Sequence, residues 1–289
     1  MKLEDYLKQH YSPKSAQNYL EDINHYLKHQ SPEKALKATY SDILEYIGIQ
    51  RKRNLSVGSL NRILQAIKKY YNYLSAAGAR IEHPCKYLYL KDKQSQDVQL
   101  QDLFTAEELQ LILTRAKEEK LTRQYYRNQA ILSLLIHQGL KTGELTSLTI
   151  QNINLEAGMV YIKATSKSHA RTLTLQPQQV MTLYHYLKEE RPRLLKKENE
   201  KLIITLYGTS EQGRGIVHVV EQYKELFPER DLNPTSIRQS VIANKLKAGE
   251  DLRVTQAFAG HKRAKTTERY RQNDMEQFKN EIEKYHPLQ

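Results

Sequence analysis

Apolar residues recur at intervals of three and four through most of this chain, the pattern of helices that bury one face, and one polar stretch near residue 91 interrupts it. Leu3, Tyr6 and Leu7 begin the series. Ser12-Pro13 then reads as an N-cap followed by proline at the first helical position, where its missing amide hydrogen costs nothing. Ala16, Tyr19, Leu20, Ile23, Tyr26 and Leu27 mark a second helix. Thr39 to Arg53, with Ile43, Leu44 and Ile47 inward, gives a third. Ser56 to Ala77, carrying Leu60, Ile63, Leu64, Ile67, Tyr70, Tyr71 and Leu74, gives a fourth that Gly78 stops. The spacing predicts a four-helix domain over residues 1–92. Lys91 to Leu103 is polar and aperiodic, and a linker is expected over 93–103.

A second domain, 104–289, opens on Thr105-Ala-Glu-Glu108, a capping box. Helices are expected over 106–117 and 123–138, the latter ended by Gly139. Met159–Ala164 and Arg171–Leu175 flank the polar turn 165–170 and predict a hairpin. Helical patterns return over 178–188, 217–225, 233–247, 254–259 and 274–285. The expected fold class is mainly α with a small antiparallel β-sheet.

Lys and Arg number 45 against 33 Asp and Glu, leaving +12. Such a surplus calls for an anionic partner, with nucleic acid first; an acidic protein or an anionic membrane surface fits charge alone as well. The single cysteine, Cys85, excludes an internal disulfide or a cysteine-based zinc cluster. There is no apolar signal core at the N-terminus and no run of about 18 apolar residues, so a cytoplasmic protein without a membrane span is expected. Glycine-lysine phosphate loops, GxSxG, HExxH and dinucleotide fingerprints are absent. With 20 tyrosines in the chain, any claim about one of them needs more than its presence.

Such support comes from the last third. Leu232-Asn-Pro-Thr-Ser-Ile-Arg238 is followed after 23 residues by His261, preceded by Ala259-Gly260, and after nine more by Tyr270, preceded by Thr266-Thr267. These residues and both spacings resemble the tyrosine recombinase, or phage integrase, family, nearest in layout to its simple Xer-type members. Gly139-Leu-Lys-Thr-Gly-Glu-Leu145 is similar to the family's GLRxSEL, and Lys167-Ser-His-Ala-Arg171 to its hairpin K-x-x-x-R.

The resemblance implies a SAM-like helical DNA core-binding domain ahead of a catalytic domain, without the extra arm-binding domain of elaborate phage integrases. It also implies a tetramer assembled on double-stranded DNA, with Asp274–Tyr285 as a tail helix docked on a neighbour or on its own domain. Tyr270 would be the nucleophile, and Arg238 and His261 phosphate ligands. Lys167 would be the leaving-group acid, and Glu144 would orient a basic neighbour. Covalent catalysis of this kind conserves bond energy in a phosphotyrosyl link, so no ATP, metal or other cofactor is implied. Arginine suits phosphate because its planar fork binds two oxygens.

Two positions depart from the family. Lys141 stands where it has an arginine and keeps the charge without the fork; Thr235 stands where it has a histidine and cannot titrate near neutrality. Gln239 follows the second arginine, where histidine is frequent. These departures keep open a relative that binds DNA without cutting it, and a monomeric type IB topoisomerase-like enzyme is a further alternative. Arg51, Arg53, Arg62 and Lys69 in the first domain, with Lys262 and Arg263 in the second, are the candidate DNA-backbone contacts, although any one of the first-domain charges alone reads first as part of a solvated helix face.

Overall fold

A computed structural model describes residues 1–92, 99–118 and 123–271, and the expected linker start and the tail helix 274–285 lie outside them. The chain divides into two compact units, Met1–Gln96 and Asp97–Gln289. In the first, α1 (Leu3–His10), α2 (Pro13–Gln30), α4 (Tyr40–Lys52) and α5 (Val57–Ala76) correspond to the four expected helices, and a short α3 (Pro32–Lys37) joins α2 to α4. Ser31-Pro32 starts α3 with the same Ser-Pro device as Ser12-Pro13, the Ser31 hydroxyl accepting from the Lys34 amide. Six residues cannot show periodicity, which is why the apolar pattern passes over them. What holds α3 is tertiary: Tyr71 Oη donates to the Ala35 carbonyl at 2.9 Å, and Arg80 donates to the carbonyls of Leu36 and Ala38. Tyr26, Tyr46, Tyr70 and Tyr71 form the centre of this core, ring against ring.

The second unit is built around α7 (Tyr125–Gln138). It follows α6 (Ala106–Glu118), and Ala130 through Leu135 are buried on every face of it. A helix apolar all round belongs in the middle, and α6, α9, α11 and α12 pack around it. The Thr105–Glu108 capping box closes as expected, each backbone amide donating to the other side chain. After α7 come α8 (Thr142–Ser147) and a three-stranded antiparallel sheet of β1 (Ile153–Asn154), β2 (Met159–Ile162) and β3 (Arg171–Thr174). Val160 and Ile162 face the core while Met159 and Tyr161 face out; the register sets Ile162 opposite Arg171. The helices α9 (Pro177–His185), α10 (Arg191–Leu194), α11 (Arg214–Glu221), α12 (Pro234–Lys247), α13 (Leu252–Ala259) and α14 (Ala264–Glu268) complete the unit. Mainly helical architecture with a small antiparallel sheet is thus observed. Two-residue β1, and α8 and α14 of six and five residues, were too short to be legible as periodic segments. Among the described residues no helix is long and apolar enough to cross a membrane.

Tyr26 Oη lies 2.7 Å from Tyr71 Oη, and both side chains are fully buried. Since Tyr71 donates to Ala35, Tyr26 must donate to Tyr71. Tyr71→Phe strands the buried Tyr26 hydroxyl and leaves the Ala35 carbonyl with the Ala38 amide alone, at 3.3 Å, and is expected to cost about 1–3 kcal/mol, whereas Tyr26→Phe leaves the bond to Ala35 intact and costs less. Urea unfolding of the full chain checks the order, and equal losses would contradict this donor chain.

Candidate active site

Five helix termini and one hairpin build the site. α7 ends at Gly139, whose left-handed φ of 56° turns the chain toward α8. Lys141 is the N-cap of α8, and the Glu144 carboxylate closes that first turn by accepting from the Lys141 amide at 3.0 Å. On α12, Pro234 occupies the first turn and the Asn233 side chain accepts from the amides of Thr235 and Ser236. Thr235 is therefore exposed at a helix start, and Arg238 follows one turn in, buried. α13 ends at Gly260 with φ 66°, directly ahead of His261. A Cβ on Gly260 would lie 2.6 Å from Arg171 Nη1 and 3.1 Å from the His169 carbonyl, so a side chain here would strain the positive φ and push Arg171 aside.

The β2–β3 hairpin is tied to that segment. Ser168 pairs with His261 as an isolated antiparallel bridge, the His169 amide donates to the Gly260 carbonyl at 3.0 Å, and Lys262 Nζ donates to the Ser166 carbonyl at 3.2 Å. After α14, the Tyr270 amide donates to the Thr267 carbonyl at 3.0 Å.

Lys141, Lys167, Thr235, Arg238, His261 and Tyr270 consequently line one cleft of about 740 Å3, with Gln239, Lys262 and Arg263 at its edge. Lys167 is exposed, Lys141 and Tyr270 are half-buried, and Arg238 and His261 form the buried floor. Arg238 is held on three sides. Its Nη1 donates to the Gly139 carbonyl, its Nη2 donates to the Ala259 carbonyl at 2.6 Å, and the same nitrogen lies 3.2 Å from His261 Nε2. Burial lowers its pKa from the usual guanidinium value to about 10, so it stays cationic at neutral pH. Burial raises the Tyr270 phenol, while Arg238 and a hydrogen bond with Gln239 pull it back. Burial also depresses the Lys141 ammonium, an effect Arg238 reinforces and Glu144 opposes.

One carboxylate offsets these cations. Glu144 accepts both guanidinium arms of Arg171, at 2.9 and 2.8 Å, and lies 3.8 Å from Arg238. Burial alone would raise its pKa, but Arg171, the Lys141 amide and Arg238 outweigh burial and hold it below the ordinary value. Residue type and spacing assign no role to Arg171, Gln239 or Thr267. Arg171 was visible only as the end of a hairpin motif, and its partner 27 residues away has no periodic signature. Of the first-unit cations, Arg51 pairs with Asp92 at 2.6 Å and Arg62 with Asp22 at 2.5 Å. Arg53 lines a cleft with His25, His29 and Arg62, and Lys69 sits over the Tyr11 ring.

Glu144→Gln removes the charge that compensates a buried guanidinium and is expected to destabilise the protein by about 3 kcal/mol in urea unfolding; a neutral effect would mean that Arg171 finds another partner. Burial, with Arg238, Lys141 and Arg171 adding to it against the pull of Glu144, lowers His261 to about 4. The unfolded chain therefore binds a proton there near the ordinary 6.5, before the folded one does. Stability from this group is complete above about 6.5 and is lost as pH falls from there toward 4. His261→Gln should shrink the drop in melting temperature between neutral pH and about pH 5, and an unchanged drop would count against a neutral buried imidazole.

The sequence model of the phage integrase family matches residues 102–277, and that of the phage integrase N-terminal SAM-like domain matches residues 3–78. The chain is 27% identical over 258 residues to a tyrosine recombinase XerC of Natranaerobius thermophilus, covering 87% of this chain and 84% of that one. It is 24% identical over 283 residues to a tyrosine recombinase XerD of Oceanobacillus iheyensis, covering 96% and 93%. In fold it is similar to the XerH site-specific recombinase bound to its difH substrate in a pre-cleavage complex (TM-score 0.68, 17% identity, 88% and 75% covered). It is also similar to a lambda integrase dimer on a core site (TM-score 0.67, 14% identity, 93% of each chain covered). With a family model spanning more than half of its length, a second on its N-terminal helices, and the cleft assembled from the family's motif positions, this chain belongs to the phage integrase family, the tyrosine recombinases.

Proposed function

We propose that the chain is a site-specific recombinase that breaks and rejoins double-stranded DNA, with Tyr270 as the attacking residue. The observation that carries this reading is the convergence of a phenol and four cationic or hydrogen-bonding groups on one cleft: Tyr270 opposite Arg238, His261, Lys141 and Lys167. Attack by the Tyr270 oxygen on a backbone phosphorus forms the O–P bond as the P–O5′ bond breaks, leaving a 3′-phosphotyrosyl link. The proton lost by the phenol is matched by the one that Lys167 delivers to the leaving oxygen. Arg238, preorganised by two carbonyls, meets the charge that develops on the nonbridging oxygens. Incoming phosphate favours the charged form of Lys141, offsetting the burial that depresses it. The first unit, with Arg53 and Lys69 on its surface, and Lys262 and Arg263 at the cleft edge hold the duplex through its phosphates, and strand exchange proceeds between two sites held by four protomers.

Lys141 offers one ammonium where a guanidinium would offer two parallel donors, and Thr235 offers one hydroxyl. The site should therefore be slower than its architecture allows. Duplex sites selected from random DNA, nicked so that the cut strand diffuses away, should trap a covalent protein–DNA adduct in the wild type and none in Tyr270→Phe. In the same assay Lys141→Arg with Thr235→His should raise the adduct rate by about tenfold or more, since a single preorganised donor is typically worth about 10²–10³ in rate. Intact binding without adduct in the wild type would instead identify a DNA-binding relative that has lost cleavage.

A further inference from the structure

Resting on that reading of the cleft, we propose that Thr267 is a positioning residue that selects which nitrogen of His261 carries the proton. Arginine has donors only. With Arg238 Nη2 at 3.2 Å from His261 Nε2, the Nε2 lone pair must face the guanidinium. In the neutral ring the proton then sits on Nδ1, which lies 2.9 Å from Thr267 Oγ1 and donates to it. A DNA phosphate in the cleft presents only acceptors, so the same imidazole binds it through Nε2 only after the proton moves to that side.

A hydroxyl accommodates both states, because it accepts from Nδ1–H and donates to bare Nδ1. Thr267 is fully buried, so water does not substitute for it. The charged groups facing His261 are Arg238 on α12, Lys141 at the start of α8, Glu144 on α8 and Arg171 on β3. Three of these four are cationic and disfavour a second proton on the ring, so before phosphate enters it is the neutral ring that must exchange tautomers to offer an Nε2 donor. The Thr267 carbonyl meanwhile accepts the Tyr270 amide. One residue thus holds the phosphate ligand by its side chain and the nucleophile by its backbone.

The test reads the imidazole 15N shifts of the full-length protein near pH 7.5, with His261 assigned by difference against His261→Gln and inorganic vanadate as the phosphate stand-in. The free wild type should show Nδ1–H, and vanadate should move it to Nε2–H. Thr267→Ser should behave alike, whereas Thr267→Val, which keeps the shape without the hydroxyl, should lose the response. An Nε2–H ring in the free wild type, or a Thr267→Val protein that responds as the wild type does, overturns the proposal. In adduct formation at saturating DNA, Thr267→Val should be slower by about 10- to 100-fold with DNA affinity kept, and Thr267→Ser should recover most of the rate. Equal rates in Thr267→Val and the wild type also overturn it. If the wild type forms no adduct, the strand-breaking reading fails, while the tautomer measurement still decides the role of Thr267.

Discussion

The site depends on a single buried carboxylate. Arg171, Arg238, Lys141 and Lys167 crowd one end of the second unit, and like charges at such distances repel unless something intervenes. Glu144 intervenes. It neutralises Arg171 through two parallel hydrogen bonds, stands 3.8 Å from Arg238, and closes the turn on which Lys141 sits. Its oxygens are engaged by Arg171 and by the Lys141 amide, so the charged nitrogens of Arg238 and Lys141 meet the cleft without a carboxylate hydrogen-bonded to them. A structural ion pair and an electropositive cleft therefore stand side by side.

The same pair explains how distant stretches of chain meet. Arg171 starts β3 and anchors the hairpin to α8; its guanidinium packs on Gly260, which leaves His261 alongside Ser168. Glycine at 260 is favoured by its positive φ, and the nearness of Arg171 adds to the cost of a side chain there. Arg238 then closes the arrangement from α12 by donating to the carbonyls that end α7 and α13. Those carbonyls are the orphan acceptors of helix C-termini, so the guanidinium that faces the cleft also caps two helices.

Much of this was legible from residue type and spacing. Long helices show themselves by apolar recurrence, caps by Ser-Pro and by Thr105 with Glu108, and helix ends by Gly78 and Gly139. The register of Arg238, His261 and Tyr270 pointed to three residues that share one cleft. The short elements were not legible, because α3, α8, β1 and α14 are each below the length at which a period can be counted. Nor were the cleft's supporting partners. Gln239 on the phenol and Thr267 on His261 are side-chain pairs defined by how elements pack, and for Glu144, expected to orient a basic neighbour, packing decided that the neighbour is Arg171; no local pattern encodes such a meeting.

The sequence by itself determined the mainly helical class with its small hairpin, the family to which the chain belongs, and the chemical types gathered for phosphate chemistry, since periodicity, turn residues and motif spacing are local properties of a chain. Only the tertiary structure decided the state of those groups. Burial makes His261 neutral, the Arg238 guanidinium turns its Nε2 lone pair inward, and Thr267 receives the proton on the other side. Protonation and tautomer answer to the surrounding dielectric and to neighbouring donors, and those exist only once α8, α12, α13 and the hairpin have packed together.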